Sequence, residues 1–415
     1  MSSTSTAAGS VQAPPSVPLL RNWRFQTLCV GSGAALLGVY ATDVAYPLII
    51  LAMTGSPALA GVFGLVQAAA SVLFTLPAGQ LVDRYDRRRI QIAAECVRVT
   101  ATASVALAFA LHRVTFVQLL VVGALVGGAQ PFVGAARMLT VRAVVRPEQL
   151  SAALTQDEVR VSVAELTGPP LGGLLYGIAR ILPFLLGTLG FVLSLSAAVA
   201  VRPDGASGAP RGAESDGGMF AGVGALWQDR TLRPVVLLLF AFNVAGVPLT
   251  LAAVYQLHRQ SAPSWSIGLA LAGSAVGGLI GAALVRPLHR RFRPGTLLLV
   301  ASGWAALTVA LLGLVSGPWQ IGLVLLGTSL GSPAIMVLLD VLIFRQVADG
   351  MRGRTIAATM SLMGLGVPLG SGLGGLLLQY LGGTGALLVL GSLLAGATVW
   401  AERQSGLRAA VWPAS

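Results

Sequence analysis

Four carboxylic acids stand where carboxylic acids are expensive. Asp43, Glu158, Glu165 and Asp340 lie inside long apolar runs, and an ionisable side chain at the centre of a bilayer costs about 3 kcal/mol or more unless it serves a pathway or finds a partner. A lone carboxyl at such a depth can take up a proton when it is exposed on one side and release it on the other, or it can hold a cation. Asp43 sits roughly 27 Å along its segment from the basic end at 1.5 Å per residue, with Tyr46 and Pro47 one turn on. Glu158 and Glu165 are seven residues apart, two turns on one helical face, and Glu165 is roughly 20 Å deep. Asp43 and Glu165 are therefore the candidate proton-coupling groups, with cation binding a second use for Glu165. Glu158 and Asp340, nearer the basic ends of their segments, suit a cavity or a gate.

Other charges read as structural. Asp157 can pair with Arg160 and Glu95 with Arg98, each three residues apart on a helix. No catalytic constellation, metal site or cofactor site follows from the rest. His112, His258 and His289 stand singly at segment ends, and Cys29 and Cys96 fall on different segments, so neither zinc spacing nor a disulfide framework is present. A nucleotide-cradling loop is absent too. An enzyme is not expected.

The elements that must position these groups follow from composition. Of 415 residues, 55% are hydrophobic and 10% charged, with mean hydropathy +0.80 and 52 glycines; soluble domains carry roughly 25% charged residues. Small and aliphatic residues of this kind pack helices in lipid. Windows of roughly 20 apolar residues, the length that crosses a bilayer, fall at 26–50, 58–79, 90–111, 116–136, 152–177 and 181–201, then at 234–256, 266–286, 295–316, 318–341, 355–379 and 384–401. Twelve spans result.

All 27 basic residues are arginines; assigned to alternating sides, 22 fall on one side, three (Arg113, Arg180, Arg259) on the other, and Arg98 and Arg160 within spans. The positive-inside rule makes the rich side cytoplasmic and puts both termini there. The formal charge of +12 is thus a topology signal and not a nucleic-acid footprint. Residues 1–21 read as a disordered cytoplasmic tail, 22–201 as a first six-helix half, 202–233 as a cytoplasmic linker, 234–401 as a second half and 402–415 as a second cytoplasmic tail. An internal repeat supports the halves: Gly64–Arg89 aligns with Gly268–Arg293 at an offset of 204, and the Leu-Gly-Gly-Leu-Leu run from Leu171 recurs from Leu373 at an offset of 202, as Pro131 does at Pro333.

The turn after the second span runs GQLVDRYDRRR from Gly79 to Arg89. It resembles the signature loop of the major facilitator superfamily, matching at Gly79, Leu81, Asp83, Arg84, Arg87 and Arg88 and carrying Asp86 where the family has glycine. With Pro77 before it, it looks like the enterobactin-exporter and macrolide-efflux branch. On the fifth span, Gly168, Pro169, Gly172 and Gly173 match the core of the antiporter motif of drug and siderophore exporters, with Ala164 in place of an upstream glycine. The resemblance implies an all-α membrane fold of two six-helix pseudo-repeats in parallel orientation, with the first, fourth, seventh and tenth spans lining a central cavity. It also implies a cytoplasmic gate in which Asp83 meets the start of the eleventh span near Thr355. Resembling proton antiporters carry an arginine within the fourth span, whereas Val117–Ala136 has none, so a proton relay would run through Asp43 or Glu165. Asn243, Tyr255, Trp265 and Trp304 are loose cavity candidates.

The expected function is secondary transport: export of a moderately apolar small organic molecule, drug, macrolide or siderophore-like, by proton antiport with rocking halves. An importer or facilitator of the same fold is the alternative. The partners are the small-molecule substrate, protons and the lipid bilayer, with no nucleic acid, and the chain is expected as a monomer in the plasma (inner) membrane.

Overall fold

The first four helix starts are fixed by short polar side chains that accept orphan amides. Asn22 accepts from Phe25, Ser56 from Leu59, Asp86 from Arg88 and Arg89, and Thr115 from Gln118. The helices that follow are α1 (Trp23–Thr54), α2 (Pro57–Arg84), α3 (Arg87–Ala110), α4 (Phe116–Val144), α5 (Leu150–Ile178) and α6 (Leu182–Ala200). The computed structural model describes residues 18–201, 227, 232–292, 294–336 and 349–404, with the backbone alone at 294 and 349–358. The second set is α7 (Leu232–Gly246), α8 (Pro248–Arg259), α9 (Ser264–Arg291), α10 (Pro294–Leu312), α11 (Pro318–Ser329) and α12 (Asp349–Glu402).

Two breaks reconcile these helices with twelve spans. α7 and α8 form one 28-residue apolar span, Leu232–Arg259, interrupted before Pro248, which has no N–H to continue the ladder. α12 is 54 residues long and turns at Gly382, whose φ of 70° and ψ of −177° suit a residue without Cβ, so it supplies the eleventh and twelfth spans. Ten helices are long and apolar enough to cross a membrane; α5 falls short because its acids and paired prolines dilute it. With α5 and the second arm of α12, the count agrees with the twelve expected spans. Among the described residues there is no strand.

Within each set the same partners meet. α1 packs on α6 and α5, and α2 on α4; in the second set α7 packs on α12 and α9 on α11. Glycines allow the close approach. A Cβ at Gly127 would lie 2.2 Å from the Gln67 carbonyl across α2 and α4, and one at Gly277 2.1 Å from the Leu326 carbonyl across α9 and α11. The repeat in sequence is thus a repeat of packing.

Between the sets, α2 packs on α12 and α5 on α9. α2 crosses α12 where Gly61 faces Gly375, an added Cβ reaching 2.6 Å from its Cα, and the Ser56 hydroxyl donates to Gln379 Oε1 at 2.8 Å. α5 crosses α9 where Gly268 meets the Pro169 carbonyl, 2.2 Å from an added Cβ. These crossings all lie away from the arginine-rich turn at residues 84–89. Toward the arginine-rich end, a Cβ at Gly79 would meet no described atom within 4 Å, and Leu76 and Val159 are 51% and 58% exposed.

Candidate functional site

Beside these crossings lies a cavity of about 630 Å³ walled by α1, α2, α4, the seventh span and α12. Among the described residues of its wall, Asp43 is the one that carries a charge. Around it stand Gln67, Ser71 and Thr75 of α2, Gln130 of α4, Thr250 of α8 and Ser371 of α12.

Local sequence builds the Asp43 environment. Pro47 has no N–H for the main-chain carbonyl of Asp43, four residues earlier, so that carbonyl lacks its usual helical donor. The Gln67 side chain faces that carboxyl from α2. Gln67, Ser71 and Thr75 recur every four residues and so share one face of an otherwise apolar helix. Sequence reasoning missed this stripe, although three polar residues at helical spacing in an apolar segment were its signal.

Glu165 repeats the device on α5, with Pro169 four residues on. It is exposed, and Tyr40 of α1 stands within electrostatic reach of both Glu165 and Asp43. Tyr40 packs onto the glycine of the fifth-span motif: a Cβ at Gly168 would lie 2.4 Å from Tyr40 Cβ. Tyr40 is thus the side chain whose electrostatic surroundings both carboxyl candidates share. Glu158 is exposed two turns nearer the arginine-rich end, and Asp340 lies outside the described residues. The remaining motif glycines serve packing: a Cβ at Gly172 would lie 2.4 Å from the Ala41 carbonyl of α1, and one at Gly173 2.3 Å from the Ser264 carbonyl of α9.

One expectation about α4 is corrected. The helix does not end at residue 136 but runs to Val144, carrying Arg137 and Arg142 inside it; the apolar window stopped short because the last two turns are amphipathic and stand at the basic end. Arg137 and Arg160 both pair with Oδ1 of Asp157, and Arg160 also donates to the Cys29 carbonyl at 3.1 Å. Asp157 thus ties α4 to α5, and Arg160 ties α5 to α1. Glu95 and Arg98 form the internal pair expected of them, 3.3 Å apart and 0% and 3% exposed. Ser194 of α6 donates to Glu95 at 2.5 Å, and the Arg98 guanidinium lies 4.0 Å from the Phe191 ring centroid.

In the turn motif, Asp86 is the N-cap of α3, a task the family's usual glycine does less well. Arg88 donates to the Ala198 and Val199 carbonyls at 3.1 and 2.5 Å, satisfying acceptors at the end of α6. Leu81 is 41% exposed, Arg84 is exposed and Arg87 half-buried. Asp83 is exposed without a hydrogen-bond or ion-pair partner among the described residues. α12 begins at Asp349, so Thr355 lies inside the helix and its amide is not one of the free N-terminal donors expected there.

The loose cavity candidates divide. Asn243 lines a recess of about 250 Å³ with Ser274, Thr328 and Ser332, which shares Thr250 with the main cavity. Tyr255 belongs to a separate pocket near Arg259. Trp265 and Trp304 are 48% and 45% exposed, and Trp304 donates to the Gly327 carbonyl at 2.8 Å; they pack on the outside of the bundle.

Known proteins agree with this architecture. The chain is 26% identical over 363 residues to the multidrug efflux pump Tap of Mycobacterium tuberculosis, covering 83% of this chain and 84% of that protein. It is 25% identical over 269 residues to the pump of that name from Mycolicibacterium fortuitum, covering 62% and 64%. Among solved structures, the nucleoside transporter NupG superposes with a TM-score of 0.73 at 11% identity, covering 92% of this chain and 99% of that one. A bacterial homologue of the iron transporter ferroportin gives 0.69 at 17%, covering 92% and 100%. These two likenesses are of fold. The family model described as Major Facilitator Superfamily matches residues 28–346, and the chain accordingly belongs to the Major Facilitator Superfamily of membrane transporters.

Proposed function

We propose that the protein exports a moderately apolar small organic molecule, of drug, macrolide or siderophore-like kind, across the plasma membrane in exchange for protons. The observation that carries this reading is the 630 Å³ cavity between the two helix sets, with the Asp43 carboxyl on its wall. A carboxyl that is the one ionisable group among the described wall residues is the minimal equipment for exchanging a proton against cargo at one place. The efflux activity named for the relatives supports the direction.

In this reading the arginine-rich end is cytoplasmic, both termini lie there, and the chain works as a monomer. The Gly61–Gly375 and Pro169–Gly268 crossings then stand toward the outer end, and the motif around Gly79, Asp83 and Arg84 at the cytoplasmic end. Cargo enters the cavity from the cytoplasm or inner leaflet, and the halves rock about the cavity to expose it outside. Asp43 takes a proton when the outer side opens and yields it when the inner side opens. Glu165, across Tyr40, is the second stop for the proton, and Asp83 latches the inner side in the alternate state.

The test is uptake into inverted vesicles of a compound against which expression gives protection in a pump-deficient strain. Accumulation that collapses when the pH gradient is dissipated, and fails in Asp43→Asn, is the expected result. Gradient-insensitive equilibration would identify a facilitator and overturn the antiport.

A further inference from the structure

On the outer surface of the first helix set, away from the central cavity, a second hollow of about 350 Å³ runs between α2, α3 and α4. Its wall is apolar throughout, from Phe74 and Leu81 on α2 through Ala93 and Val97 on α3 to Leu125 and Phe132 on α4. Leu125, Phe74, Leu81 and Val97 are 44%, 42%, 41% and 37% exposed, so the furrow opens outward. It does not lead to the cargo cavity. Between the two, α2 and α4 touch at backbone distance, with an added Cβ at Gly127 2.2 Å from the Gln67 carbonyl and one at Gly128 3.0 Å from Phe74. An occupant would have to push α2 and α4 apart to pass, so a cargo portal is disfavoured.

Helical spacing fixes what stands at the furrow's mouth. On α3 the wall residues Ile90, Ala93, Ala94 and Val97 form an i, i+3, i+4, i+7 stripe, and one turn before it on that face comes Arg87. On α2, Arg84 follows Leu81 by three residues, about 60° from it around the helix, whereas Asp83 is about 200° away. The other charges of the turn are engaged: Asp86 caps α3 and lies 3.7 Å from Arg89, and Arg88 holds the end of α6. Arg84 and Arg87 have no ion-pair partner among the described residues. An apolar channel running into the bilayer thus ends, at headgroup level, in two unpaired guanidiniums.

We propose that this furrow is a binding site for an acidic phospholipid, one acyl chain lying between α2, α3 and α4 and the phosphate meeting Arg84 and Arg87. The hydrocarbon wall accepts a chain without polar cost, and guanidinium with phosphate forms paired, charge-assisted hydrogen bonds. The lipid would belong to the leaflet at the arginine-rich end, whatever the cargo and the coupling ion.

Native mass spectrometry of the purified full chain in detergent tests the site, after incubation with phosphatidylglycerol or phosphatidylcholine of equal chain length. Wild type is expected to retain one phosphatidylglycerol roughly 10- to 30-fold more than phosphatidylcholine, the ratio two basic residues at a membrane surface supply. The double variant Arg84→Gln/Arg87→Gln should lose the preference, and Arg84→Lys/Arg87→Lys should keep most of it. Ala93→Trp, at an exposed position on the furrow wall, should expel both lipids while melting like wild type. Equal retention of the two lipids by wild type would overturn the proposal, as would undiminished retention by Ala93→Trp. Full displacement by glycerol phosphate alone would do so too, because the chain would then contribute nothing.

Discussion

Two kinds of carboxyl share this protein, and their surroundings separate their tasks. Glu95 has everything a buried charge requires: Arg98 as counter-ion, the Ser194 hydroxyl as donor, and Phe191 beneath the guanidinium. Removing one partner of such a pair leaves the other charge uncompensated, which costs about 3–5 kcal/mol. Glu95→Gln should therefore lower the melting temperature of the purified protein markedly, while Glu95→Gln/Arg98→Met should recover most of the loss. Equal melting of wild type and Glu95→Gln would refute the structural assignment. Asp43, by contrast, has an amide from Gln67 and no basic partner in its cavity wall. Asp43→Asn preserves shape and hydrogen bonding, so binding of an uncharged cargo should change by less than about tenfold, or 1.4 kcal/mol. Gradient-driven accumulation in inverted vesicles should nevertheless fall to the level of empty vesicles. The difference between these two acids was only partly legible: Glu95 and Arg98 betray each other by spacing, whereas the neighbours of Asp43 come from four other elements that no local pattern connects to it.

At the scale of elements, proline and glycine do most of the positioning. Asp43 and Glu165 each precede a proline by four residues, so the main-chain carbonyl of each lacks its usual helical N–H partner, a pattern readable from the chain alone. The glycines of the crossings are less easily read, because their partners are far away in sequence. Gly61→Ala would place a methyl 2.6 Å from Gly375 Cα and 2.7 Å from the Ser371 carbonyl, where neither backbone can yield. An overpacking penalty of about 2 kcal/mol on the crossing shifts the balance between the two end states roughly 30-fold toward the one in which it is parted. Spin labels placed across α2 and α12 should report the longer distance as dominant in Gly61→Ala. A distribution unchanged from wild type would mean that the crossing is not a moving seal. The helix boundaries followed the apolar pattern to within a few residues at most starts, but α2 and α9 each run five residues past the expected end, α11 stops at Ser329, and in α4 two amphipathic turns extend the helix and bring Arg137 to Asp157. Hydropathy measures how a segment partitions, and a helix stops only where its ladder runs out of donors or finds a cap.

For the whole molecule, alternating access requires the α2–α12 crossing to open. Joining it covalently should stop the cycle. Ser56→Cys/Gln379→Cys, in a Cys96→Ser background because Cys96 is exposed, is expected to lose transport when bridged by a short, reducible thiol-specific cross-linker and to regain it on reduction. Undiminished transport by the bridged protein would rule out rocking about this cavity. The sequence by itself determined that the chain lives in a bilayer, that its spans number twelve in two related sets, and which end bears the arginines. Each of these depends on composition, period and spacing along the chain, which transfer free energies and the positive-inside bias translate directly into topology. Only the tertiary structure decided where the two sets cross, that Asp43 shares its cavity with the polar face of α2, and that Arg137 and Arg160 converge on one carboxylate oxygen. Those are properties of helices meeting across long sequence separations, where backbone approach at a few glycines, and not the apolar pattern, sets who touches whom.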